Sequence, residues 1–234
     1  MTGERFAILL RHGDYHQKPE TPSALQPFGL SDTGMVQAMN AGRELAAMAR
    51  ANGWKLSSTI MSSQLLRAWE TATFLCRTLG EETGKVFKVD EEADLAERSV
   101  GAFANLTLAQ IQEVLANDPR YSAPPVNWKS DSTYKLPALG AESLMEAGER
   151  VARALTAGIG DLKAVHETNA KVFVGHGASL RHAAYHLKVL NYDDIRGLSM
   201  HHARPVVLKC SDDGRWSHCA GGWKERTPKD VSID

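Results

Sequence analysis

The chain has 234 residues, a formal net charge of −1 at pH 7 and a hydrophobic fraction of 43%. That is apolar content enough for the sizeable core of one α/β domain spanning residues 1–234. The near-neutral charge gives no general reason to bind nucleic acid or an anionic membrane, and no apolar run approaches membrane-spanning length.

Phe6-Ala-Ile-Leu-Leu10 is a short buried-strand pattern that runs straight into Arg11-His12-Gly13. Ligands of open α/β sheets sit beyond the carboxyl ends of strands, so this triplet falls where chemistry is expected. Residues 14–30 are broken by Pro19, Pro22, Pro27 and Gly29 and form a loop suited to walling a pocket. Helical periodicity begins near Asp32 or Thr33, either of which can cap. Ala38, Ala41, Leu45, Met48 and Ala49 supply its buried stripe and Gly53 its stop.

A second strand over residues 56–61 passes through Ser62-Ser63 into a helix carrying Leu66, Trp69, Thr73, Cys76 and Leu79 and ended by Gly80, with Arg67 in its first turns. A third, short strand covers residues 86–89. An acidic stretch (Asp90, Glu91, Glu92, Asp94) and Leu95-Ala-Glu97-Arg98 follow, then a helix opened by a Thr107–Gln110 capping box. Residues 117–142, with four prolines and Tyr121, Trp128 and Tyr134, form a long ordered excursion, and such loops are usually functional or mobile. Ser143 and Glu146 cap the longest helix, whose apolar face runs from Leu144 to Leu162.

Val172-Phe-Val-Gly175 repeats the opening pattern, ending in His176-Gly177 before a helix over residues 179–190. Residues 204–208 and 215–218 form a hairpin around Asp213-Gly214, and residues 224–234 are a loosely held polar tail. Strands alternating with helices predict a mostly parallel sheet covered on both faces, a three-layer α/β/α sandwich. Cys76, Cys210 and Cys219 have no C-x-x-C spacing and read as reduced thiols, a Cys210–Cys219 disulfide being the lesser alternative. No secretory signal is recognisable, so the expected location is the cytoplasm.

Two strands that end in His-Gly can bring two imidazoles over one crevice. Arg11, His12, Arg67 and His176 all lie just past strand ends. Four groups that are or become cationic repel one another unless an anion sits between them. A phosphoryl dianion fits, because guanidinium forks match its oxygens. Arg11-His12-Gly13, Ser63-x-x-x-Arg67-Ala68 with Glu70-Thr71-Ala72, Leu95-Ala-Glu97-Arg98 and His176-Gly-Ala-Ser-Leu-Arg181 occur in one order over nearly the whole chain. Together they resemble the histidine phosphatase superfamily, the phosphoglycerate-mutase-like group.

The resemblance implies that His12 is the nucleophile that becomes phosphohistidine. Arg11 and Arg67 then hold phosphate oxygens, His176 donates to the phosphoryl group, and Glu97 protonates the leaving oxygen. An imidazole attacks only when its attacking nitrogen is bare, so the other ring nitrogen should donate to a backbone carbonyl, one from the glycine loop being the candidate. Nearby phosphate charge favours the protonated, acid form of Glu97. Gly13, Gly177, Arg98, Tyr15 and His16 are expected to contact substrate, with Arg181 a candidate for its tail. No cofactor is expected, and His12/His16 and His201-His202 lack the surroundings of metal ligands, His201-His202 reading as surface or sheet-edge histidines.

Residues from Gly140 to Pro205 are similar to cofactor-dependent phosphoglycerate mutases. Asp14-Tyr15-His16-Gln17-Lys18 departs from them, replacing their Glu-Ser-x-x-Asn pattern with the Tyr-His of the protein-phosphatase branch. Trp128-Lys129-Ser130 offers one cation where the mutases carry two arginines. A mutase must hold a bisphosphorylated intermediate, so the missing cation favours water as acceptor. The expected function is a metal-independent phosphatase acting on a phosphorylated small molecule or a phosphoprotein. Mutase activity is the runner-up and a non-catalytic phosphate-binding scaffold the third reading.

Overall fold

The computed structural model describes residues 4–164 and 168–226. In chain order the elements are β1 (Arg5–Arg11), α1 (Asp32–Asn52), β2 (Thr59–Ser62), α2 (Leu66–Thr83), β3 (Lys88–Glu91), α3 (Leu108–Asn117), α4 (Leu144–Gly160), β4 (Ala170–Gly175), α5 (Gly177–His186), α6 (Tyr192–Gly197), β5 (Leu198–Ser199), β6 (Val206–Cys210), β7 (Trp216–Ala220) and β8 (Lys224–Glu225). Six strands form one sheet in the order β3-β2-β4-β1-β6-β7. The first four run parallel; β6 and β7 are antiparallel additions at one edge. β5 and β8 form a separate two-stranded sheet.

Side chains of β1 alternate between the two faces of the sheet. Phe6, Ile8 and Leu10 pack with Leu45 of α1 and Leu75 and Leu79 of α2, whereas Ala7 and Leu9 pack with Val151 and Leu155 of α4 and Leu180 of α5. Both faces are therefore apolar, which is why β1 is a continuous hydrophobic run rather than an alternating one. The result is the α/β sandwich with a mostly parallel central sheet. The excursion carries its own apolar cluster: Trp128 and Leu136 pack with Val100, Phe103, Ile111 and Leu115, and Ala24 of the 14–30 loop joins them. The excursion is thus pinned against the loop that walls the site.

Several element boundaries depart from the sequence expectation. The N-cap of α1 is Ser31, whose Oγ accepts from Gly34 N and donates to Asp14, so the cap also fixes the chain after His12. α2 runs one turn past Gly80 and stops at Gly84, which takes the left-handed conformation. Its buried stripe is Ala68, Thr71, Ala72, Leu75, Thr78 and Leu79, leaving Leu66 and Trp69 exposed. The third strand begins two residues later than expected. Both capping boxes, Thr107–Gln110 and Ser143–Glu146, form, but α4 is shorter than α1 and ends at Gly160, before Leu162. α5 starts at Gly177 rather than at 179. The Asp213-Gly214 hairpin pairs Cys210 with Trp216, not with Cys219, and all three cysteines are free. Of the expected loose tail, Lys224–Glu225 pairs with Leu198–Ser199 as β8, and residues 227–234 lie outside the described residues. Among the described residues no helix is long and apolar enough to cross a membrane.

Candidate active site

Strand order builds the site. β1 and β4 are neighbours in register Arg11↔Gly175, and His12 N donates to Gly175 O at 2.9 Å, so the two His-Gly ends lie side by side. The His12 and His176 rings stand 5.1 Å apart between centroids. β2 flanks β4 on the other side, with Ser63 N bonded to Val174 O, and this delivers Arg67 on the first turn of α2.

The partners of His12 assign its tautomer. Nδ1 lies 2.7 Å from Gly13 O, a group that can only accept, so Nδ1 carries the hydrogen. Nε2 is then a bare lone pair, and Arg67 Nε donates to it at 3.2 Å. Burial foremost, then the charge of Arg67, with His176, Arg11 and His202 adding less, hold this imidazole well below its usual pKa, which keeps it neutral. The Tyr15 ring meets His12 edge-on at 5.2 Å and lies under the Arg67 guanidinium at 4.6 Å. The anticipated backbone carbonyl is there, supplied by Gly13, the residue that follows His12.

Arg67 is fully buried and its guanidinium is spread over three acceptors besides His12. Nη1 donates to Gln26 O at 2.9 Å, and Nη2 donates to Ser23 O and Ala24 O at 3.1 and 2.9 Å. One side chain therefore fixes the 14–30 loop and faces His12 at the same time.

His176 is fully buried, and burial first, with Arg67, Arg11 and Arg150 behind it, likewise pushes its pKa well down. Its Nε2 lies 2.9 Å from Ser63 Oγ, while Nδ1 has no hydrogen-bond partner among the described residues. An orphaned buried nitrogen costs free energy until something polar meets it. Glu97 is also buried. Its Oε1 accepts from Arg98 N and Ser179 N at 2.9 and 3.0 Å, and Oε2 from Ala178 N at 3.3 Å. The N-terminus of α5 thus holds this carboxylate at the cavity wall.

Close packing requires glycine at both positions 13 and 177. A Cβ on Gly177 would meet Arg11 Cδ at 3.1 Å, so its absence gives the Arg11 guanidinium room. A Cβ on Gly13 would meet Gly34 O at 2.6 Å, and Gly13 N is already bonded to Thr71 Oγ1, so this N–H is committed within the protein. His16 is exposed, with its backbone N on Gly29 O, and is not brought to the cavity. Arg98 is, its guanidinium lying over the Trp128 ring at 5.7 Å. Arg11, His12, Glu97, Arg98, Lys129, Arg181 and Arg226 are among the residues lining one cavity, walled on one side by Pro22, Ser23 and Ala24.

His202, expected to be a surface or sheet-edge histidine, is half-buried beside His12 instead. An isolated parallel bridge pairs it with Arg11, and Ala203 N donates to Arg11 O at 2.8 Å while Ala203 adopts a left-handed φ of 49°. This bend puts the His202 ring 5.6 Å from that of His12. Burial and the Arg11 charge, against a weaker pull from Asp14, push its pKa down to about 3, so a third neutral imidazole joins His12 and His176. Among the described residues no group of three or more His, Cys, Asp or Glu is disposed to hold a metal ion.

Comparison with known proteins accords with this geometry. A structure of "Mycobacterial hydrolase 2" matches with a TM-score of 0.68 and 26% identity over 99% of this chain and 96% of that one. Mycobacterial glucosyl-3-phosphoglycerate phosphatase, complexed with VO3, matches at 0.63 and 27% over 95% of this chain and 100% of that one. Phosphoserine phosphatase from Entamoeba histolytica, in complex with 3-phosphoglyceric acid, shares the fold at 0.63 and 18% identity, over 95% and 98% of the two chains. The family model for the histidine phosphatase superfamily, branch 1, matches residues 7–220, from the first strand through the hairpin that closes the sheet, and the chain belongs to that superfamily.

Proposed function

We propose that the protein hydrolyses phosphate monoesters through a phosphohistidine on His12. The hydrogen-bond pattern of that one ring carries the reading: Nδ1–H is committed to Gly13 O, and Nε2 is a lone pair directed at the Arg67 guanidinium. On arrival of a phosphoryl dianion, Arg67 Nε passes its hydrogen bond from Nε2 to a phosphoryl oxygen. Arg11 holds a second oxygen, and the unpartnered Nδ1 of His176 takes another. Nε2 then attacks phosphorus as the ester P–O bond breaks, and Glu97 delivers a proton to the leaving oxygen. A water molecule next attacks the phosphohistidine, Glu97 takes its proton back, and inorganic phosphate departs with Nε2 restored. Phosphoryl transfer needs alignment and charge more than covalent help, and two arginines with one imidazole supply both without calling on a metal.

Relatives at 26–27% identity named as a hydrolase and as a phosphatase of a phosphorylated small molecule support water as the acceptor and a small phosphorylated substrate. One observation favours keeping the mutase reading beside it. Lys129 is the one cation at the position of the mutases' paired arginines, yet Arg98, Arg181 and Arg226 line the same cavity, so shortage of positive charge no longer separates the two. Free thiols at all three cysteines fit a reducing compartment, and we place the protein in the cytoplasm. Turnover of a chromogenic phosphate monoester in the presence of chelator tests hydrolysis. Incubation with 3-phosphoglycerate and its bisphosphate primer, following 2-phosphoglycerate against free phosphate, tests the alternative. Release of free phosphate is the expected result, and accumulation of 2-phosphoglycerate alone would overturn it.

A further inference from the structure

His12 stands in a row of three imidazoles. It follows the end of β1, between the end of β4 and the start of β6, and each neighbour supplies a ring. His176, after β4, lies at 5.1 Å, and His202, in the segment leading into β6, lies at 5.6 Å. Hydrolysis as proposed employs His12 and His176, and His202 has no part in it.

The turn that carries His202 is clamped to Arg11 from both ends. Arg11 Nη1 donates to Met200 O at 3.2 Å, and Ala203 N donates to Arg11 O at 2.8 Å. Ala203 takes a left-handed φ of 49°, a conformation that costs a residue with a side chain free energy and persists where surrounding contacts impose it. The clamp sets His202 level with Arg11 in an isolated parallel bridge, its ring tilted 35° from that of His12. Packing alone does not call for a histidine here: the side chain keeps 25% of its surface open, and its ring makes no hydrogen bond among the described residues. Nδ1 faces Asp14 Oδ1 across 3.9 Å, beyond a hydrogen bond but within reach of the charge. Asp14 is itself fixed, by Ser31 Oγ donating to Oδ2 and by Gln37 Oε1 accepting from its backbone N. Nε2, across the ring from Asp14, is left for a ligand.

The charged and titratable groups facing this ring are Arg11, His12, Asp14, His201 and Lys224 of β8. Burial first and the Arg11 charge second hold it near a pKa of about 3, neutral in the empty site. A phosphoryl dianion on Arg11 and His12 would cancel that positive charge and add its own negative charge, which favours imidazolium. The proton balance closes: imidazole and a phosphate monoanion become imidazolium and a dianion.

We propose that His202 is a further catalytic residue, its Nε2 donating to an oxygen of the phosphoryl group while Asp14 faces its Nδ1. This rests on the phosphatase reading and adds a donor to it, so that an imidazole from each side of β1 grips the group that His12 receives.

Long-range proton–nitrogen NMR spectra of the imidazoles in the full-length protein, at about pH 6.5 with and without saturating inorganic phosphate, read the step directly. The His202 signals are assigned through His202→Gln or, should that variant not fold, through triple-resonance labelling. His202 is expected to be neutral in the empty site and protonated on both nitrogens in the phosphate-bound one. His202→Phe keeps a ring and removes the donor. It should lower kcat/KM for p-nitrophenyl phosphate by about tenfold to a hundredfold, the scale of one charge-assisted hydrogen bond, and weaken inhibition by inorganic phosphate in step. His202→Gln keeps an N–H and should recover part of that loss. Ring nitrogens of His202 that do not respond to saturating phosphate, or a folded His202→Phe that keeps kcat/KM within about twofold, overturn the role and leave the phosphatase standing. No turnover of p-nitrophenyl phosphate by the parent protein overturns the phosphatase reading and the catalytic role with it.

Discussion

Replacing Arg67 by lysine keeps a positive charge at the head of α2 and removes the fork. The guanidinium makes four contacts from three nitrogens, to His12 Nε2, Gln26 O, Ser23 O and Ala24 O. A lysine ammonium is a single point with three hydrogens, and it cannot span the nucleophile and three carbonyls of a separate loop. At least two charge-assisted bonds are lost in a fully buried site, each contributing about 1.5–3 kcal/mol. An overall loss of about 3 kcal/mol follows, which for a protein of this length lowers the melting temperature by roughly 6–12 °C. On the proposed mechanism the same change removes one preorganised donor to the phosphoryl oxygens, an effect of about 10²–10³ in kcat. Because Ser23 and Ala24 form a cavity wall, KM should rise as well. Steady-state kinetics on a chromogenic ester and differential scanning calorimetry of Arg67→Lys read both quantities. A variant that keeps kcat within about threefold and melts within about 1 °C of the parent would refute the claim that one guanidinium fixes loop and phosphate together.

Glu97→Gln keeps the hydrogen-bonded position at the head of α5 and cannot deliver a proton, so it should slow alkyl phosphates at least tenfold more than p-nitrophenyl phosphate, on the scale of general acid catalysis; equal losses on both would remove the acid role. His182 and His202 are each held near a pKa of about 3 against an ordinary 6.5, mainly by burial. The folded protein refuses protons that the unfolded chain accepts, so stability is complete above about pH 6.5 and falls as pH drops toward 3, by about 1.4 kcal/mol per pH unit for each histidine. His12 and His176 shift in the same direction. Melting curves between pH 7.5 and 5 should show this decline, less steep in His182→Gln, and a flat profile would count against it. Gly34→Ala places a methyl group against Asp14 O, in the segment that follows the nucleophile, and should cost about 1–3 kcal/mol as overpacking; a melting temperature equal to the parent's would show that this contact yields freely.

How much of this was legible in the sequence depended on whether the cause was local. The Phe6–Leu10 run, the His-Gly ends, Gly53 and both capping boxes rest on contacts within a few residues, and each took the expected form. The α2 stripe failed because Leu66 and Trp69 satisfy helical spacing but face outward, and the apolar face is completed by the small residues Ala68, Thr71 and Ala72. Glycine commonly ends helices, so Gly80 reads as a stop, yet the helix continues through the largely exposed Glu81-Glu82-Thr83 and ends where Gly84 takes the left-handed conformation. His202 reads as a surface or sheet-edge histidine because nothing local places it beside His12: that position arises from a bridge to Arg11 across 191 positions of sequence and from the left-handed turn at Ala203. Arg226 likewise looked like part of a polar tail, since nothing near it announces that Leu198–Ser199 will pair with the chain just before it.

The phosphoenzyme decides the central claim most directly. Rapid quenching during turnover, followed by peptide mapping under alkaline conditions, is expected to show one phosphoryl group on His12, labile to acid, transferred to water on chase and absent from His12→Ala, which should not turn over. A phosphoryl group on another residue, or steady turnover by His12→Ala, would contradict it.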